Sequence, residues 1–141
     1  MTQEEKDLLL KDLCGRLPYG VKCYKITFKP ELAEEVICML RNGSHNCVQL
    51  GTFLYRLEHI KPYLFPLSSM TEEQKEEYNQ SRLKDLRMLN SVLMERISDE
   101  NNFDRLVVAH NEIDWLNKNH FDYRGLIPMG LAIDCTNLNI Y

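Results

Sequence analysis

The spacing of apolar and polar positions changes along this chain, and each change predicts a different element. Near the N-terminus Leu8, Leu9, Leu13 and Cys14 recur at helical spacing. Thr2 can cap this helix, Glu5 three residues on completes a capping box, and Gly15 would supply the left-handed residue at its end. Leu17-Pro18-Tyr19-Gly20 then breaks the helix. From Val21 the period falls to two, with Val21, Cys23 and Lys25 on one face and Tyr24, Ile26 and Phe28 on the other. That predicts a strand, ended by Lys29-Pro30. The runs Glu34 to Arg41 and Cys47 to Leu50 flank a polar turn containing Asn42-Gly43 and read as a hairpin. A helix over residues 31–40 competes, because Leu32, Val36 and Leu40 are four apart. Thr52 to Leu57 alternates again and predicts a further strand.

Ile60 to Met70 holds Pro62 and Pro66 four residues apart in an apolar stretch, and reads as an ordered connector crossing the core. Thr71 and Gln74 form a second box that opens a helix, polar nearly all round as far as Gln80. Leu83, Leu86, Leu89, Leu93 and Ile97 then make one stripe. Residues 98–102 are a polar turn, and a last helix is expected from about Phe103 to Asn119 with His110 on its apolar face. Leu131, Ile133 and Cys135 alternate, which allows a final strand. The fold class expected is α+β. A small twisted antiparallel sheet of three to four strands packs with an N-terminal helix and a C-terminal antiparallel helical hairpin. Residues 1–141 read as a single domain, 1–66 carrying the first helix and the sheet and 67–141 the helical part.

Composition narrows the function classes. At 141 residues, 44% hydrophobic and 27% charged, the chain has ordinary globular proportions. No stretch approaches the roughly 20 apolar residues of a membrane span, and Met1-Thr2-Gln3-Glu4-Glu5 lacks an export pattern. A cytoplasmic protein without membrane partners is expected. Net charge is −4; residues 19–66 carry six bases against four acids, and residues 99–141 three against seven. That is far from the basic stripe of a nucleic-acid groove, so no duplex nucleic acid is expected as a partner. The five cysteines (Cys14, Cys23, Cys38, Cys47, Cys135) include no CxxC pair and read as small core hydrophobes. No metal site and no cofactor motif is visible, since neither close Cys/His spacing nor a glycine-rich phosphate loop occurs. No GxSxG elbow is present either, and catalytic residues are not assigned.

Two clusters carry binding chemistry. In His120-Phe121-Asp122-Tyr123-Arg124, Asp122 can pair with Arg124 and the rings flank them. This is either a latch reaching carbonyls at a helix end or an Arg-aromatic pocket for a planar or phosphorylated ligand. The second cluster, Tyr19 with Lys61, Tyr63, Ser68 and Ser69, offers hydroxyls and an ammonium. The candidate ligand-binding residues are therefore Tyr19, Lys61, Tyr63, Ser68, Ser69, Tyr123 and Arg124.

The blocks Leu17-Pro18-Tyr19-Gly20-Val21-Lys22, Ile60-Lys61-Pro62-Tyr63-Leu64, Ser68-Ser69-Met70-Thr71-Glu72-Glu73, and His120 to Ile127 with Gly130-Leu131-Ala132 span nearly the whole chain. Together they resemble a family of small uncharacterised proteins of phages, prophages and gut Bacteroides-type genomes. The resemblance implies a phage or mobile-element protein of the host cytoplasm and brings no activity with it. In the proteins it resembles, the position of Phe65 is often basic, so one phosphate contact is lost here. The function expected is a non-enzymatic binding or interaction protein acting on a host component. The alternatives are a binder that sequesters a small nucleotide-type signal, and a hydrolase of unknown substrate. A homo-oligomer is possible for each, because a short sheet leaves open edges.

Overall fold

The computed structural model describes residues 1–26, 33–42, 45–93 and 103–141, with side chains other than those of 40–45 and 83–110. It divides into two compact units, residues 1–69 with 120–141, and residues 70–119. Residues 120–141, expected in the helical part, go with the sheet.

Helix α1 runs Gln3–Arg16, and its capping box forms as expected: Thr2 Oγ1 accepts from Glu5 N–H at 3.2 Å while Glu5 accepts from Thr2 N–H at 2.6 Å. Gly15 does not end it. The left-handed residue is Gly20, φ 68°, after a single 3-10 turn over Leu17–Tyr19. The extra turn brings Arg16 into the helix, and its guanidinium bonds back to Asp12 one turn earlier. Leu9 and Leu13 are the buried apolar residues of α1, whereas Cys14 is exposed, contrary to its expected place in the core.

The sheet is larger than the three to four strands expected, and mixed. Among the described residues seven strands, β1 Lys22–Lys25, β2 Glu34–Asn42, β3 His45–Leu50, β4 Phe53–Arg56, β5 Ile60–Pro66, β6 Phe121–Asp122 and β7 Ile133–Asp134, form it in the order β4-β3-β2-β1-β5-β6, with β7 also on β5. The hairpin β2–β3 is present, with Asn42 opposite His45, and a helix over 31–40 is excluded for residues 34–40. A register shift interrupts the β2–β3 pairing between Val36, which is buried, and Cys38, and Ile37 between them is exposed. The expected stop at Lys29-Pro30 lies outside the described residues.

The main correction is β5, which the two prolines disguised as a connector. It pairs antiparallel with β1 and parallel with β6 and β7. Ile26 N–H donates to His59 C=O at 2.8 Å, so alternate pairs along β1–β5 exchange bonds, and Cys23/Pro62 falls on a pair that does not. Pro62 therefore costs the ladder nothing on that side. Ile60, Pro62 and Leu64 are buried on one face, and Tyr63 is buried on the other. The core joins Leu9 and Leu13 of α1 to Val21, Val48, Leu50 and Ile60 of the sheet and to Leu126 and Leu131 of the returning chain.

The second unit holds α2, Glu72–Leu93, and α3, Phe103–Lys118. Thr71 and Gln74 make the second box, Oγ1 accepting at 3.2 Å and Oε1 at 2.9 Å. The helices meet where Tyr78 packs on Trp115, centroids 5.2 Å apart, and where Arg82 pairs with Glu112 at 3.0 Å. The turn expected at 98–102, which would close a hairpin, lies outside the described residues, as do the side chains of the Leu83–Ile97 stripe and of His110.

Candidate functional site

The buried face of α1 reads Leu9, Asp12, Leu13, Arg16: an acid and a base set into an apolar stripe at i, i+3, i+4 and i+7 spacing. Both charged side chains are fully buried, and they pair through two contacts, Nε to Oδ2 at 2.7 Å and an η-nitrogen to Oδ1 at 3.0 Å. Arg16 also donates to Phe121 C=O at 2.7 Å, tying α1 to β6 across 105 residues of chain. Burial of a lone carboxylate would cost several kcal/mol, and the bidentate guanidinium offsets that.

Arg124 completes the cluster. Its Nε lies 3.3 Å from Asp12 Oδ1, and its side chain is 20% exposed. The ring of Tyr123 lies against both cations, 4.8 Å from the Arg124 guanidinium carbon and 5.4 Å from that of Arg16. The expected Asp122–Arg124 pair is not the arrangement found. Asp122 accepts instead from Leu126 N–H and Ile127 N–H, both at 2.8 Å, and shapes the turn in which Gly125 takes φ 74°. Arg124 likewise pairs with a carboxylate and not with helix-end carbonyls. Asp12 and Arg16 were the residues that sequence reasoning passed over, and their signal was two charges at stripe positions of an otherwise apolar helix face.

The other expected cluster stays dispersed. Tyr19 is half-buried in the turn after α1, and Lys61 is half-buried on β5 opposite Tyr24. Tyr63 is buried, its ring edge-on to Tyr24 at 6.5 Å, and burial raises its pKa. Ser68 is exposed, and Ser69 donates to Pro66 C=O at 2.8 Å within its own turn. Tyr123 and Arg124 are thus brought together, and no described contact joins them to Lys61.

Reactive groups have surroundings that quiet them. Burial, with the charge of Asp12, pushes the Cys23 thiol far up, and burial pushes Cys135 to about 11, so both stay protonated near neutrality. His120 is buried with its ring stacked on Tyr141, and among the described residues no acid pairs with it. Among those residues no three His, Cys, Asp or Glu side chains gather as metal ligands, and no helix is long and apolar enough to cross a membrane.

The largest apolar exposure is at the far end of the sheet. Phe53 and Leu54 on β4 are 65% and 48% exposed, and Ile37 on β2 is 56% exposed. β4 ends the strand order, and no described strand pairs with its outer side. Gly51, φ 56°, supplies the positive φ that the tight turn into β4 needs. Comparison of the chain with protein families, with curated proteins and with solved structures found no match.

Proposed function

We propose that this chain is a non-enzymatic interaction protein of a phage or mobile element that binds a host protein in the host cytoplasm, and that it does so through the outer edge of β4. The observation that carries the reading is an end strand with two large apolar side chains in solvent. Neither proline nor a bulge interrupts Phe53–Arg56. The two-residue turn makes Leu50/Phe53 and Val48/Tyr55 the pairs that exchange bonds, so the backbone groups of Leu54 and Arg56 face outward. An extended host segment can add there as a further strand. Arg56, 52% exposed and 3.8 Å from Glu58, selects a segment with an acid opposite it.

The test is an amide chemical-shift titration with a peptide of alternating valine and glutamate, beside its N-methylated counterpart. Saturable shifts at Leu54 and Arg56 with the first peptide alone are expected. Leu54→Pro removes an outward donor without removing a β3–β4 bond, and should abolish the shifts while the fold persists. Equal response to both peptides, or none, rejects the reading. A free protein that sediments as a dimer with those amides protected assigns the edge to a second copy instead.

A second reading rests on the Arg124–Tyr123 stack, because a guanidinium on a side chain that is 20% exposed suits the phosphate of a nucleotide-type ligand. A nucleotide at a hundred times its dissociation constant would stabilise the protein by about 2.7 kcal/mol. A nucleotide panel without a thermal shift removes this reading and leaves the first intact.

A further inference from the structure

Tyr141 occupies a place in the sheet that a backbone bond would otherwise fill. The β1–β5 register pairs Tyr24 with Lys61 and Cys23 with Pro62, so the next pair toward this end is Lys22 with Tyr63. The bond from Ile26 N–H to His59 C=O sets the alternation, and by it Lys22/Tyr63 is a pair that should bond directly. The Tyr141 hydroxyl stands between them, accepting from Lys22 N–H at 3.0 Å and donating to Tyr63 C=O at 3.0 Å. Lys22 also holds Ile140, its Nζ donating to that carbonyl and lying 5.4 Å from the Tyr141 ring centroid.

The ring that carries this hydroxyl is clamped by His120. The two rings stack at 3.8 Å and 11°, and Phe65 closes the side at 6.0 Å. His120 is 6% exposed, and its backbone sits at φ 58°, a conformation that non-glycine residues adopt only under constraint. Its carbonyl accepts from Phe65 N–H at 2.9 Å, which fixes it to β5, and its Nδ1 is buried without a hydrogen-bond partner. Among the described residues, the charges that act on this imidazole are those of Arg16 on α1 and Lys22 on β1, both cations. Among the described residues the buried acids are engaged elsewhere, Asp12 with the two guanidiniums and Asp122 with two backbone amides. Tyr141 stays neutral, because burial raises its hydroxyl pKa far above the usual phenol range.

We infer that Ile140-Tyr141 is a displaceable strap whose lock is the neutral His120 ring, and that a proton on His120 releases it and opens the β1–β5 end at Lys22 and Tyr63. An imidazolium there would be a buried charge whose Nδ1–H has no acceptor among the described residues. Burial first, then Arg16 and Lys22, lowers the His120 pKa to about 4. The strap is therefore fully held above the unfolded-state value near 6.5, and its hold weakens as pH falls from there toward about 4.

The test follows the Lys22 amide by hydrogen exchange from pH 7 to pH 4, with the Ile26 amide as internal reference and imidazole nitrogen shifts reporting the charge on His120. The expected result is an exchange rate at Lys22 that rises about tenfold or more relative to Ile26 as the imidazole titrates, at unchanged far-ultraviolet dichroism. His120→Asn, which tolerates the positive φ and carries no proton, should hold the ratio flat. Tyr141→Phe should raise it at every pH. Lys22 protected at pH 4 beside a charged imidazole overturns the inference, as does simultaneous loss of Lys22 and Ile26 protection. Should His120→Asn not fold, the wild-type exchange ratio against the imidazole titration still decides the matter.

Discussion

The β1–β5 end of the sheet is joined by residues far apart in sequence, whereas the β2–β3–β4 end is two successive hairpins. At the first end Arg16 reaches Phe121 across 105 residues, and Tyr141 links Lys22 and Tyr63 across 119 and 78. At the other, each strand pairs with the next in order, and the apolar rings of β4 meet solvent. Polar groups at the first end pair within the molecule across long stretches of chain, so they serve closure. The second end closes through local turns and can leave its outer edge for another chain. A surface of this second kind can change without changing stability, and that asymmetry can be broken experimentally.

The largest effect is expected at the buried cluster. Asp12→Ala leaves two guanidiniums without their shared carboxylate and should cost about 3–5 kcal/mol in denaturant unfolding. Tyr141→Phe leaves Lys22 N–H and Tyr63 C=O without a partner and should cost about 1–3 kcal/mol. Next comes acid: His120 alone should remove roughly 1–3 kcal/mol as pH falls from about 6.5 toward about 4, a loss absent in His120→Asn. Thr2→Ala or Thr71→Ala removes a helix cap and should cost about 1 kcal/mol, seen as a small drop in Tm. Leu54→Lys on the open edge should change stability by no more than about 0.5 kcal/mol. A large stability loss from Leu54→Lys, or none from Asp12→Ala, would erase the contrast between the two ends.

What was legible in the sequence follows the same division. Both capping boxes, the hairpin around Asn42-Gly43, a strand within Thr52 to Leu57 and the last helix were readable, because each is set by residues within a few positions of one another. Strand β5 was not. Its prolines argue against a strand until its partner is known, and only the pairing with β1 shows that Pro62 falls where no donor is needed. The same holds for the candidate site. Tyr123 and Arg124 were visible as a cluster, but the acid that organises them lies on α1, and nothing near Arg124 announces it. Asp122, the nearer acid, went to backbone amides. Lys61, Tyr63, Ser68 and Ser69 lie close in sequence without converging, since a strand and its following turn aim them apart.

Amide exchange along β4 tests the central claim most directly. Phe53 and Tyr55, bonded to β3, should exchange slowly while Leu54 and Arg56 exchange fast, and the alternating valine–glutamate peptide should slow the latter pair about tenfold or more. Leu54 and Arg56 already slow in the free protein, or unmoved by saturating peptide, would contradict an edge kept open for a partner.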